Sequence, residues 1–112
     1  MGSRLYKIQG EIIKISQELK SKKEHSFADQ IKRSGTSISA NIAEANNPQS
    51  RADMISKFEI ALKEASETEN WLNVLKDAEL LTVENFENIH KKVVKIKILL
   101  IKSIQTLKSK SL

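Results

Sequence analysis

Arg33-Ser34-Gly35-Thr36-Ser37-Ile38-Ser39-Ala40-Asn41-Ile42-Ala43-Glu44-Ala45, followed further along by Ala61-Leu62-Lys63-Glu64-Ala65-Ser66-Glu67-Thr68-Glu69-Asn70-Trp71-Leu72, decides how this chain folds. Both runs are small, polar and periodic, which suits two helices packed closely around a few buried hydrogen bonds. Neither carries a cluster of reactive side chains. Ser34, Ser37, Asn41 and Glu44 recur at spacings of three and four, so they share one face of a helix beside its apolar stripe. On the second run Ala61, Glu64, Ala65, Ser66 and Glu67 offer a complementary face, where hydroxyl, amide and carboxylate groups can satisfy one another. Such a network would set helix register, because a buried polar group left without a partner costs about 1–3 kcal/mol. Arg33, Ser37, Asn41, Glu44, Glu64 and Glu67 are therefore expected to be structural. The alternative is a binding groove lined by Arg33, Asn41 and Glu44.

Outward from these runs the apolar pattern stays helical. Leu5, Ile8, Ile12, Ile15 and Leu19 mark a first helix over about 4–23. Phe27, Ile31, Ile38 and Ile42 mark a second over 26–45, with Ser26 and Asp29 as a capping box at its start. Asn46-Asn47-Pro48 is the clearest break, since proline disfavours helix in the residue before it. Ser50 and Asp53 repeat the capping signature ahead of a third helix over 50–77, and Thr82 is the expected cap of a fourth over 83–109. The third carries Met54, Phe58, Ala61, Leu62, Ala65, Leu72 and Leu75. The fourth carries Phe86, Ile89, Val93, Ile96, Leu100 and Leu107.

With 112 residues, one proline, three glycines and no cysteine, the expectation is one all-α domain over 1–112 without disulfides or a thiolate metal site. Short connections favour an antiparallel up-down-up-down four-helix bundle, which sets the first and fourth helices side by side. Val94, Ile98, Leu99, Ile101 and Ile104 widen the fourth stripe beyond what one bundle face needs, so oligomers are expected. The alternative is that Val94 and Ile101 lean on the first helix. No apolar run reaches the roughly 20 residues of a membrane span, nor is there a signal-peptide stretch, so the cytoplasm is the expected location.

The net charge of +5 is unevenly spread. Residues 1–24 carry six Lys/Arg against three acids and 81–112 carry seven against two, while 49–80 carry four against seven. If the two ends are neighbours they form one positive surface able to attract phosphate. Its candidate residues are Lys91, Lys92, Lys95, Lys97 and Lys102 on the fourth helix, extended by Arg4, Lys7 and Lys14 on the first. The alternative is that these lysines only solvate. Glu87 and His90 make one half of a bundle-core carboxylate–histidine metal motif, but the second copy is missing. Nothing in the chain suggests a nucleophile or a nucleotide loop. No cofactor or enzymatic activity is expected.

The segment from Gln30 to Ala45, with Ser50-Arg51-Ala52-Asp53-Met54 and Ala61 to Glu69, resembles the bacterial four-helix proteins called 23S ribosomal RNA intervening-sequence, or S23-like, proteins. The likeness covers most of the chain and is most specific in the second and third helices. It implies a four-helix protomer that assembles into a ring, typically a pentamer, without a defined catalytic residue. It also implies that Arg33, Ser37, Asn41 and Glu44 carry over as motif positions. A distant branch of the family acts with reverse transcriptase and RNA in diversity-generating retroelements, and nothing here places the chain in that branch. Two functions are left open: an oligomer that binds RNA through its lysines, or a scaffold that binds another protein through the broad fourth helix.

Overall fold

The computed structural model describes residues 2–110, with side chains from Leu5 onward. Four helices and no strand are present among them: α1 (Gly2–Ser21), α2 (His25–Ala45), α3 (Arg51–Asp77) and α4 (Val83–Ser109). No helix among the described residues is long and apolar enough to cross a membrane. Two starts follow the expected chemistry. Ser50 Oγ accepts from Asp53 N at 3.0 Å, and Thr82 Oγ1 accepts from Asn85 N at 3.1 Å, each satisfying an amide that the first helical turn leaves open.

Helix α2 starts differently from the expectation. It begins at His25, with Glu24 at the cap position and no side-chain capping bond, so Ser26 lies inside the first turn and caps nothing. The cause is the preceding turn, which delivers the chain into α2 one residue early. Lys23 takes a left-handed conformation (φ 63°), Glu24 N donates to Leu19 O at 2.8 Å and Lys23 N to Lys20 O at 3.0 Å. These two bonds close the end of α1 in the pattern usually built on glycine. The end of α3 repeats it at Glu79 (φ 61°), where Leu80 N donates to Leu75 O and Glu79 N to Lys76 O. A left-handed L-residue costs about 1–2 kcal/mol, and glycine loses more chain entropy on folding. Glu79→Gly is therefore expected to raise stability by up to about 1 kcal/mol, read as a higher denaturation midpoint.

The core runs along the centre of the four helices. Ile8, Ile12 and Leu19 of α1 meet Ile31 and Ile38 of α2, Leu72 and Leu75 of α3, and Ile89, Val93, Ile96 and Leu100 of α4, all essentially without solvent contact. Helices consecutive in sequence are neighbours, and α1 also meets α4. Gly35 decides how closely α1 and α2 approach. A Cβ there would stand 2.7 Å from Ile12 Cδ1 and 2.8 Å from its Cγ2, so the branched side chain of Ile12 fills the space a larger residue would take. Nearby, buried Ser16 donates to Ala28 O at 3.0 Å across the same seam.

Cross-helix pairs set the registers. Arg33 reaches Glu64 and Glu67 while Glu44 reaches Lys57, so numbers rise along α2 as they fall along the facing stretch of α3. Glu69 with Lys97 and Glu59 with Lys108 give the same opposed order for α3 and α4.

The surplus on α4 divides. Ile104 is buried in the core, which corrects its expected place on the outer part of the stripe, and Val94 and Leu99 are half-buried. Ile98 and Ile101 stay 46% and 40% exposed. Ile101 borders a cleft with Glu59, Leu62 and Lys63 of α3, so it faces α3 and does not lean on α1.

Candidate functional site

The lysines expected to form one surface separate into two groups. Lys92 Nζ lies 2.5 Å from Glu11 Oε1 and Lys97 Nζ 2.8 Å from Glu69 Oε1, both partly buried. They tie α4 to α1 and to α3. Their ammonium groups are already paired with carboxylates. Lys91, Lys95 and Lys102 are exposed and, among the described residues, make no ion pair. Separations of four and seven put them on the outward side of α4. Ile98, seven residues after Lys91 and four before Lys102, shares that side. Lys7 and Lys14 are exposed on neighbouring α1, together with Tyr6. The Arg4 side chain lies outside the described residues.

The α2–α3 seam carries the polar network, with a different membership from that expected. Arg33 donates to Glu64 Oε2 at 3.0 Å and to Glu67 Oε1 at 2.5 Å, so one guanidinium spans two acids a helical turn apart. Beneath it, in the dry interior, the Thr68 hydroxyl lies 3.0 Å from the Ser34 hydroxyl and 2.9 Å from Glu64 O, while the Ser34 hydroxyl lies 3.4 Å from Ile31 O. Two protons serve these three contacts. Ser37 and Asn41 do not cross the seam. Ser37 Oγ donates to Arg33 O at 2.7 Å and Asn41 Nδ2 to Ser37 O at 2.8 Å, both within α2. Ser66 is exposed, one helical step away from the seam. Glu44 closes the seam at its far end with Lys57 at 3.0 Å, and that hydrogen bond holds the Lys57 ammonium above its ordinary pKa. Thr68 was the signal to read, since Glu64, Thr68 and Leu72 follow one another at the spacing of a single buried face.

Between α3 and α4, Glu69 acts as a clasp. One carboxylate oxygen takes Lys97, and the other lies 2.8 Å from His90 Nε2. His90 in turn stacks on Phe86 with ring centroids 4.8 Å apart, and Lys76 sits 4.4 Å from the Phe86 centroid. Because His90 turns to Glu69 while Glu87 is exposed, the sequence pair Glu87 and His90 does not converge. The Lys97 hydrogen bond, reinforced by His90 and opposed by partial burial, holds Glu69 below its ordinary value of 4.5. A carboxylate depressed by folding stabilises the fold above its unfolded value and loses that contribution as pH falls through the folded one. Stability is thus expected to fall below pH 4.5. Glu69→Gln should flatten that acid limb and cost about 1–2 kcal/mol at neutral pH, measured by urea unfolding across a pH series.

Trp71 packs edge-on against Phe27, with centroids 6.1 Å apart. Its indole nitrogen is buried without an acceptor among the described residues, so the ring contributes apolar contact there.

The chain as a whole, and not only its α2–α3 seam, can be compared with known proteins. The family model for the 23S rRNA-intervening sequence protein matches residues 3–102. The chain belongs to that family. A solved structure from the S23 ribosomal protein family of Bacteroides thetaiotaomicron, itself a protein with unknown function, is 45% identical to this chain. The match covers 91% of this chain and 95% of that one, with a TM-score of 0.88. No curated protein matches.

Proposed function

We propose that this protein is a non-enzymatic cytoplasmic bundle of up-down-up-down helices that self-associates, as a pentamer, and binds RNA phosphate. The observation carrying the reading is the contrast on α4. Lys92 and Lys97 are held by carboxylates, whereas Lys91, Lys95 and Lys102 stand exposed without ion pairs among the described residues. Lys7 and Lys14 extend that face onto α1. A few lysines per protomer attract phosphate weakly, and repetition around an assembly multiplies the attraction by avidity. Exposed Ile101, beside the half-buried Leu62 and Val94, supports self-association through the α3–α4 edge. The pentameric number rests on family resemblance.

Filter binding to a structured RNA across a salt series tests the reading. Replacing Lys91, Lys95 and Lys102 with alanine is expected to weaken binding at low salt. It should also make the plot of log affinity against log salt shallower by roughly 0.7–0.9 for each phosphate that is no longer neutralised. Lys92→Ala should lower stability and leave that slope nearly unchanged. Affinity indifferent to salt, or absent at low salt, would remove the RNA reading. Native mass measurement addresses assembly separately. The second reading, a scaffold for another protein, draws on the exposed Ile98 and Ile101, and a nuclease-resistant complex isolated from cells would favour it.

A further inference from the structure

Helix α1 meets α2 and α4, so the bundle presents α1 and α4 side by side as one lateral face. Charge on that face is layered. Lys7 and Lys14 stand seven residues apart on α1 and Lys91 and Lys95 four apart on α4, all exposed and, among the described residues, without an ion pair. The two rows are separated by about one interhelical distance, roughly 8–10 Å. Between them the seam carries groups of the opposite kind. A cleft of about 250 Å³ opens there over Ile15 and Ile89, walled by Glu11, Lys14, Glu18, Asn85 and Asn88. Glu11 is engaged by Lys92 at 2.5 Å and by Asn88 at 3.4 Å. Glu18 is open: its side chain is 59% exposed, with Lys22 at 3.5 Å. The Asn85 side chain has no hydrogen-bond partner among the described residues.

We infer, resting on the RNA reading above, that the α1–α4 face takes double-stranded RNA across its minor groove, with one phosphate strand on each lysine row and the 2′-hydroxyls over the seam. Proteins that hold single strands use a basic groove whose aromatic side chains stack on the bases. Here the groove between the rows is walled by carboxylates, which repel a phosphate chain laid along it, and no aromatic side chain lines it. Exposed Tyr6 lies elsewhere. It shares a helical stripe with Gln9, Ile13 and Ser16, and Ser16 donates to Ala28 O of α2, so that stripe faces away from α4. A duplex avoids the conflict because its two phosphate strands are held apart. The minor groove of an A-form helix is wide and shallow and displays 2′-hydroxyls, and duplex RNA is recognised by phosphate and hydroxyl contacts across it. A ribose hydroxyl can donate to the Glu18 carboxylate and the Asn85 amide oxygen. The acceptors that reject a phosphate chain thus suit a ribose edge, a donor that DNA lacks.

The probe is a labelled RNA duplex of about 20 base pairs, titrated into the full chain by fluorescence anisotropy beside an unstructured RNA single strand and a DNA duplex of the same sequence. The RNA duplex is expected to bind at least about tenfold more tightly than either. Lys7→Glu with Lys14→Glu, and Lys91→Glu with Lys95→Glu, should each weaken it, because each row holds a strand. Glu18→Ala with Asn85→Ala removes a negative charge as well as two acceptors, so charge alone would tighten RNA and DNA binding together. Lost hydroxyl contacts should instead shrink the preference for RNA over DNA by about threefold or more. Far-ultraviolet circular dichroism checks that each variant stays helical. Single-stranded RNA bound as tightly as the duplex, a preference over DNA untouched by the Glu18 and Asn85 changes, or a loss confined to one lysine row would overturn the inference and leave RNA binding standing. No binding of any of the three probes at low salt would remove the RNA reading along with it.

Discussion

Ile12→Ala is expected to lower the free energy of unfolding by about 2–5 kcal/mol, the range for emptying a fully enclosed aliphatic site. Ile12 has no solvent exposure and stands directly over Gly35, so both the forfeited burial and an uncollapsed cavity contribute. The converse change, Gly35→Ala, gains about 1 kcal/mol of helix propensity. Against that it drives a methyl to within 2.8 Å of Ile12 Cγ2. A β-branched side chain has little rotamer freedom in a helix, so the overlap is relieved only by shifting α1 from α2, at about 1–3 kcal/mol. Gly35→Ala should therefore destabilise by up to about 2 kcal/mol. The double variant is the sharper measurement. The new methyl would enter the space vacated by Ile12, and the combined destabilisation should be smaller than the sum of the two single effects by more than about 0.5 kcal/mol. Strict additivity in urea unfolding would mean that Gly35 does not set the α1–α2 distance.

Arg33→Met should cost about 2 kcal/mol, because it strands Glu64, whose side chain is only 10% exposed. Arg33 is itself 48% exposed, which keeps the cost below that of a fully buried pair. Glu67→Gln, at the outer end of the same guanidinium, should cost less than about 0.5 kcal/mol. Pairing Arg33→Met with Glu64→Leu should recover most of the stability, since a seam without either charge has nothing left to desolvate. If the double variant were as unstable as Arg33→Met alone, the seam would depend on the ion pair itself and not on avoiding an isolated carboxylate.

Much of the architecture was open to reading along the chain because helical periodicity and capping are local. Leu5 to Leu19 announce α1, Ser50 and Thr82 cap α3 and α4, and Asn46-Asn47-Pro48 separates α2 from α3. The α1–α2 boundary was harder to read because Lys23, and not a glycine, takes the left-handed position. The family, too, was visible in the small and polar residues from Gln30 to Ala45.

Site membership was less accessible. Lys91 and Lys92 are adjacent in sequence and chemically identical, yet one is without an ion pair among the described residues and the other is bound to Glu11, 81 positions away. Ile98 and Ile104 look equally surplus on a helical stripe, and only the position of α3 and α1 around α4 decides which is covered. The amino-acid order alone determined four helices, their stripes and their breaks, since each depends on neighbours within about one or two turns. Which charges are neutralised, which hydroxyls cross a seam and where the bundle is left open were decided by tertiary packing. Those outcomes depend on the azimuth and length of helices remote in sequence, which local periodicity does not encode.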